Sequence, residues 1–501
     1  MKRSSSSPYH DSSSGRAVFR CNAGSAVGGG HIMRCLTLAK RLAVSGWYCI
    51  FAVNSEAVRV VPALKRSNFE IVISHENALA EDLGALFPEG AELLVMDHYG
   101  LDAAFESSCR GWAKAILVVD DLADRSHECD LLLDTTPGRA GESYQGLVPH
   151  ECQLLLGPEY TLLREEFAMR RVEVLARRGQ KTTIDRILVS FGLTDPSGVT
   201  AHAVQGVLES GASANVDVVL SPTAPAYERV ASLARQNEKL RLFNYVNDMS
   251  ALMAKADLAL GAAGTTSWEC CCLGLPTLFM VAADNQQGNA EALEAAGAAV
   301  SLGPADKVAV QVVARAVASL AEDRERYQAI SRAATKMCDG LGATRVALAV
   351  HSPTKARDGK SVSMRLARAE DMEIMFEWQT HPETRRFARN PEPPTRVEHE
   401  AWFERKMADA DCEMLMILHE GRDAGIFRLD RLKNGAQEVT IVVAPMLWGR
   451  GIGSAALEFA NGFWPHETLH AEILPGNEVS LRMFSAAGYE KDGETIYVRA
   501  C

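Results

Sequence analysis

The chain has 501 residues, 47% hydrophobic and 23% charged, with 38 Gly and 19 Pro; this length predicts about three folded units and the composition excludes a collagen-like, coiled-coil or largely disordered chain. A formal net charge of −12 repels phosphate backbones and anionic bilayers, so neither nucleic acid nor a membrane is an expected partner. The 12 cysteines, scattered from Cys21 to Cys501 without a CxxC pair, suggest neither a disulfide framework nor a zinc site and fit a reducing cytoplasm.

Residues 1–15 hold Lys2, Arg3 and two serine clusters but no apolar segment of the kind a secretory signal needs, and are read as a disordered tail. Over residues 16–160, β-type runs alternate with helix-sized gaps: Val18–Cys21, Trp47–Val53, Phe69–Ile73, Glu92–Met96, Ala115–Val119 and Leu131–Leu133. Continuous apolar runs of this length indicate a parallel sheet covered on both faces. A charged helical stretch, Thr161–Gln180, opens a second lobe over residues 161–350 with runs at Arg186–Phe191, Val216–Leu220, Leu240–Tyr245, Leu258–Leu260 and Pro276–Val281. The longest nearly apolar run, Cys270–Ala283, contains Gly274 and Pro276 and falls short of the roughly 20 residues of a membrane helix. A polar stretch, residues 351–361, reads as a linker to a third domain over residues 362–501.

Three features carry chemistry. The first is Gly28-Gly29-Gly30-His31-Ile32-Met33-Arg34, between the first strand and the helix expected over Ile32–Leu42. Glycines admit close backbone approach, a helix N-terminus offers N–H groups, and an imidazole at the carboxyl edge of a parallel sheet can take a proton from water. A histidine that only satisfies helix backbone groups fits the spacing as well. Asp97, His98, Asp120, Asp121, His127 and Asp130 could in principle hold a divalent cation, but no HxH or HExxH spacing occurs and no metal is expected. Asp97, His98 and Tyr99 are candidates to contact a sugar, with Gly30 and Arg34 beside the histidine.

These residues carry a resemblance. Phe19-Arg20 with the His31 turn, Met96-Asp97-His98-Tyr99-Gly100, Val119-Asp120-Asp121, Tyr144–Pro149 and Leu162–Phe167 occur in the order and spacing of the UDP-sugar hydrolases of pseudaminic acid biosynthesis. The resemblance covers about residues 16–345. It implies two Rossmann-like α/β lobes of glycosyltransferase-B (GT-B) type, His31 as general base, and metal-independent attack of water at the anomeric carbon of a UDP-linked diacetamido sugar. Two departures stand out: Asn22 where that family usually has Asp, which places the orientation of the base in question, and Leu193 where a second glycine is common, which would be strained at positive φ.

The second feature is nucleotide-directed. The turn Phe191–Gly198, with Thr194, suits a diphosphate, and Gly264, Thr265 and Thr266 can present donors to phosphate oxygens at the start of a helix. Glu269, one turn on, can accept ribose hydroxyls, although a solvated helix carboxylate reads the same in isolation. GxxGxxxxE followed by GxP and then Asn285 and Gln286 is similar to the nucleotide end of UDP-sugar transferases such as the one that makes lipid II.

The third feature follows the strand Glu438–Val443. Arg450-Gly451-Ile452-Gly453-Ser454-Ala455 runs into a helix and reads as a pyrophosphate cradle. With Asn477 and Met483–Tyr489 downstream, residues 363–500 resemble a GNAT-family N-acetyltransferase of α+β fold, which implies acetyl-CoA as co-substrate bound by the cradle and Asn477. Phe484 stands where many members place a proton-donating Tyr, leaving Tyr489 or water for that role. Glu438 is the candidate base for the acceptor amine, with His381 and Glu383 behind it. The domain also resembles the sugar acetyltransferase of the same pathway. The sequence is therefore read as a bifunctional cytoplasmic enzyme that acetylates the C4 amine of a UDP-amino sugar and hydrolyses the product to free sugar and UDP. The alternatives are a UDP-sugar-dependent glycosyltransferase and a protein acetyltransferase carrying a nucleotide-sugar sensor.

Overall fold

The computed structural model describes residues 15–24, 29–75, 78–192, 194–283 and 286–500. All but Gly15 of the expected tail, together with Gly28, Leu193 and Asn285, lies outside the described residues. By contacts the chain divides into two compact units, one of residues 17–37 and 50–343, the other of residues 38–49 with the chain from Thr344 onward.

Three sheets organise the molecule. The first contains β1 (Arg16–Cys21), β2 (Tyr48–Val53), β3 (Glu70–Ile73), β4 (Ala91–Asp97), β5 (Ala113–Val119), β6 (Leu131–Asp134) and β7 (Gln153–Leu156), in the order β3-β2-β1-β4-β5-β6-β7. The second contains β8 (Arg186–Ser190), β9 (Asn215–Val219), β10 (Leu240–Phe243), β11 (Leu258–Ala262), β12 (Thr277–Val281) and β13 (Val300–Pro304), in the order β10-β9-β8-β11-β12-β13. Neighbouring strands pair in parallel, as between β1 and β4 or β8 and β11. Each order reverses once, so the carboxyl ends of β1 and β4 in one lobe, and of β8 and β11 in the other, flank a topological switch point where ligands bind in open α/β sheets.

Periodicity located every strand of the two lobes except the edge strands β7 and β13. Both lie on the sheet margin and are only partly buried, so they lack the continuous apolar run that betrays a central strand. The charged stretch after residue 161 forms the helix Glu165–Gly179. Its arginines are structural: Arg178 is 2% exposed and donates to the carbonyls of Ala256 (2.8 Å) and Leu273 (3.0 Å), and Arg171 donates to the carbonyl of Cys338 (2.9 Å). They satisfy carbonyls that helix ends leave open.

The third sheet contains β14 (Thr354–Lys355), β15 (Ser361–Leu366), β16 (Cys412–His419), β17 (Arg422–Arg431), β18 (Gln437–Val443), β19 (Leu469–Glu472), β20 (Glu490–Lys491) and β21 (Ile496–Arg499), in the order β14-β15-β16-β17-β18-β19-β21-β20. It is antiparallel except for β18 and β19, which pair in parallel at Gln437↔Leu469 and Glu438↔His470. The stretch expected as a linker over residues 351–361 joins this sheet, since Thr354 and Lys355 pair with Val362 and Ser361. Its polarity reflects an exposed edge hairpin rather than a tether. Among the described residues no helix is long and apolar enough to cross a membrane.

Candidate active sites

At the first switch point, His31 is the second residue of the helix Gly30–Val44, the element that follows β1, and Asp97 ends β4. Arg34 and Cys35 lie three and four residues beyond His31 and so share its helix face. All three converge on one carboxylate. The Nδ1 of His31 is 2.5 Å from Asp97 Oδ1, Arg34 donates to Oδ1 (2.5 Å) and Oδ2 (2.6 Å), and the Cys35 thiol lies 3.6 Å from Oδ2. Asp97 is 1% exposed. Burial would raise its carboxyl, but the Arg34 guanidinium, and after it the His31 imidazole, hold it well below the usual carboxylate range. The anionic Asp97 favours an Nδ1–H tautomer on His31, in which the Nε2 lone pair is turned away from the carboxylate. The Tyr99 ring meets His31 edge-on at 4.8 Å, and Tyr99 and Arg34 both donate to Asp121 Oδ2, at 3.3 and 3.4 Å.

Asp97, expected to touch a sugar, has Oδ1 engaged by His31 and Arg34 and Oδ2 by Arg34 and the Cys35 thiol. Asn22 takes no part in this. It lies 3.1 Å from His98 Nε2 and accepts from Arg20 (2.6 Å), while Gly100 N–H donates to His98 Nδ1 (3.0 Å). Burial, reinforced by the Arg20 charge, lowers the His98 pKa to about 4, so His98 is a neutral frame residue. Gly30 has open space around its Cα and no left-handed backbone, so its lack of a side chain leaves the helix start uncovered. The residues weighed as cation ligands are engaged elsewhere. Tyr144 donates to Asp120 and Asp134 (2.9 Å each), His127 Nδ1 lies 2.8 Å from Glu106, and Arg110 donates to Asp130 (2.6 Å). Among the described residues no group of three or more such side chains could hold a metal.

The second switch point offers one open helix start and one closed one. After β8, Asp195 accepts from the N–H groups of Val199 (3.2 Å) and Thr200 (2.8 Å) and so caps the helix Thr200–Glu209. The expected diphosphate turn thus already holds an anion at its helix, although Thr194 is exposed beside it. After β11, Gly264 precedes the helix Thr265–Cys272, and among the described residues no side chain caps that end. Gln286 packs next to it, with Nε2 3.6 Å from where a Gly264 Cβ would stand. Glu269 accepts from Arg164 (3.0 Å), and burial raises its pKa against that pairing. Arg164, at the start of the helix that opens the second lobe, lies in the Leu162–Phe167 run of the resemblance, but its pairing with Glu269, 105 residues on, has no local signal.

In the third sheet, Gly451 is left-handed (φ +83) and starts the helix Ile452–Phe463 without a side-chain cap. A Cβ there would stand 2.9 Å from the Arg357 backbone nitrogen. Exposed Arg450 and Ser454 flank this end, whereas Ile452, Gly453 and Ala455 face inward. Gly453 makes room for Met483, since a Cβ there would lie 2.6 Å from its Sδ. Asn477 accepts from Ser480 N–H (3.1 Å) as the cap of the helix Glu478–Ala486. Glu438 and Glu472, on adjacent β18 and β19, both accept from Arg389. Glu472 was missed because its partner lies 83 residues away. His381 packs edge-on against Trp448 at 5.6 Å, and Glu383 pairs with Arg386 on the surface. Phe484 and Tyr489 are buried against each other, ring centroids 4.9 Å apart.

Comparison with known proteins agrees with this division. Residues 203–344 match the model of the glycosyltransferase family 28 C-terminal domain, and residues 362–490 that of the acetyltransferase (GNAT) domain. An uncharacterized protein of Methanocaldococcus jannaschii is 22% identical over 494 residues, covering 94% of this chain and 97% of its own. The UDP-2,4-diacetamido-2,4,6-trideoxy-beta-L-altropyranose hydrolase of Campylobacter jejuni is 24% identical over 242 residues, 48% of this chain and 82% of its own. The crystal structure of MurG from Acinetobacter baumannii superposes with a TM-score of 0.50 at 15% identity, over 67% of this chain and 99% of that one. The chain is thus an enzyme in which a GT-B-like glycosyltransferase/hydrolase domain is fused to an acetyl-CoA-dependent acetyltransferase (GNAT) domain.

Proposed function

We propose that the GT-B-like domain hydrolyses a UDP-linked amino sugar, and that the GNAT domain acetylates an amine of the same kind of sugar. The observation that carries the first half is the His31–Asp97 pair at the β1/β4 switch point. With Nδ1–H held by an ionised carboxylate, Nε2 accepts a proton from water as the water oxygen attacks the anomeric carbon. The bond from that carbon to the diphosphate oxygen breaks, and UDP leaves with the electron pair. Backbone N–H groups at the uncapped start of Thr265–Cys272 supply donors for the diphosphate, with Gln286 and Thr194 at its margin. Glu269 exchanges its Arg164 contact for the ribose hydroxyls. Likeness to the Campylobacter hydrolase favours a 2,4-diacetamido-2,4,6-trideoxy hexose as the sugar.

In the GNAT domain, the left-handed Gly451 and the uncapped helix after it fit the pyrophosphate of acetyl-CoA, a co-substrate that supplies the acetyl thioester. Glu438 takes the proton from the acceptor ammonium, the amine attacks the thioester carbon, and the CoA thiolate departs. The C4 amine of the UDP-sugar precursor is the acceptor that makes the two domains consecutive.

The test is incubation of the purified chain with acetyl-CoA and a panel of UDP-amino sugars in 18O-labelled water. Acetylated sugar, free UDP and label at the sugar C1 are expected. Label on the phosphate, UDP release only with a second sugar present, or acetylation of protein alone would each overturn this reading.

A further inference from the structure

We infer that Cys129 and Cys152 form a peroxide-reactive thiol pair that closes to a disulfide. Their sulfurs lie 3.6 Å apart. Cys129 stands two residues before β6 and Cys152 one residue before β7. These adjacent strands pair at Leu131↔Gln153, and Gln153 N–H donates to the Asp130 carbonyl at 2.8 Å. The backbone thus holds the two side chains together, and the distance still to be closed, to about 2.05 Å, is within reach of side-chain rotation.

The two thiols are unequal in ways that assign their roles. Cys152 is partly exposed and Cys129 is 1% exposed. The hydrogen bond with Cys129 lowers the Cys152 thiol against burial and the Asp130 charge, which act to raise it, and the Arg110 guanidinium, which holds Asp130, acts in the lowering direction. The same hydrogen bond, and then burial, push the Cys129 thiol up. Elsewhere the described cysteines are buried except Cys412, whose thiol burial and Asp430 push up to about 12. Among the described cysteines Cys152 alone combines access, a lowered thiol and a neighbouring sulfur, the combination that makes a thiol reactive.

The reaction balances with a hydroperoxide as oxidant. The Cys152 thiolate attacks one oxygen of hydrogen peroxide and hydroxide leaves, giving a sulfenic acid and two-electron oxidation of sulfur. Cys129 then attacks the Cys152 sulfur, its thiol proton joins the departing hydroxyl, and water is released as the S–S bond forms. Two thiols and one peroxide become one disulfide and two waters. The bridge sits at the amino ends of β6 and β7, opposite the carboxyl edge that carries His31 and Asp97. It closes the loop carrying Tyr144, whose hydroxyl joins Asp120 to Asp134.

The experiment treats the full chain with about equimolar hydrogen peroxide, alkylates remaining thiols, and reads intact mass and peptide maps. A loss of about 2 Da, a Cys129–Cys152 linked peptide, and reversal by dithiothreitol are expected. Cys129→Ser should stall at a sulfenic acid on Cys152 that dimedone traps, and Cys152→Ser should give neither product. Peptide maps of the wild-type chain that show Cys152 carried to sulfinic acid with Cys129 still alkylated, or a linkage between other cysteines, would overturn the pair whether or not the variants fold.

Discussion

The two candidate active sites hold their proton acceptors differently. His31 is gripped from behind by a carboxylate that is itself sealed from solvent, so its orientation is set before any substrate arrives. Glu438 instead faces an arginine whose side chain is 61% exposed, and it shares that arginine with Glu472. The first arrangement resists rearrangement, because parting buried Asp97 from Arg34 strands a charge. The second yields easily, because an exposed ion pair is worth about 1 kcal/mol or less. On the proposed reading one base is preorganised, and the other is released when a cationic acceptor displaces Arg389.

The sharpest way to break this contrast is His31→Ala, expected to lower UDP release by roughly 10²–10⁴-fold while acetyl transfer is unchanged. Asp97→Asn should cost nearly as much, because the amide no longer enforces the Nδ1–H tautomer, and it should also lower the melting temperature. An Asp97→Asn enzyme that keeps its rate would show that His31 is not oriented from this side.

Glu438→Gln probes the softer site and is expected to slow acetyl transfer by about 10²-fold with UDP release intact. Arg389→Ala separates the two modes of holding a base. If the arginine competes with the acceptor, KM for the amine falls and kcat holds. A rise in KM would mean that Arg389 binds substrate rather than yielding to it.

The sequence made the first site legible in kind but not in wiring. Glycines before His31 and the MDHYG run at the end of β4 are short local signals, and both fell at the switch point. That Asp97 meets His31, 66 residues away in the chain, depends on β1 pairing with β4. Local pattern does not carry such pairings. The same limit hid Glu472 and Arg164, whose partners are 83 and 105 residues away. Asp195 misled for a different reason: a polar turn before a helix reads alike whether its N–H groups await a phosphate or already meet a carboxylate. The central strands were plain because burial on both faces leaves continuous apolar runs, and the edge strands β7 and β13, only partly buried, were not.

A smaller effect compares the two compact units through pH. Burial lowers both His98, in one unit, and His351, in the other, to about 4. Unfolded, each titrates near 6.5. Between these values the unfolded chain binds protons that the folded chain does not, so stability is full above about pH 6.5, declines as pH falls, and levels off below about pH 4. After discounting for partial exposure, each histidine accounts for about 2 kcal/mol of that decline. His98→Gln should flatten the melting profile of the GT-B-like unit alone and leave the acid sensitivity of the other. Equal flattening of both transitions would show that the units melt as one.

Asn477→Ala is expected to have the least effect and decides whether that residue serves the ligand or the helix. Its carboxamide oxygen is already spent on Ser480 N–H, so removing it should cost about 1 kcal/mol of stability and leave KM for acetyl-CoA within about twofold. Asn477→Asp restores a cap acceptor and adds a negative charge. A cap tolerates that charge, since it lies at the positive end of the helix Glu478–Ala486, whereas a contact to the anionic co-substrate would be repelled by it. Recovery of stability with unchanged KM makes Asn477 a cap, and a rise in KM with stability restored makes it part of the acetyl-CoA site.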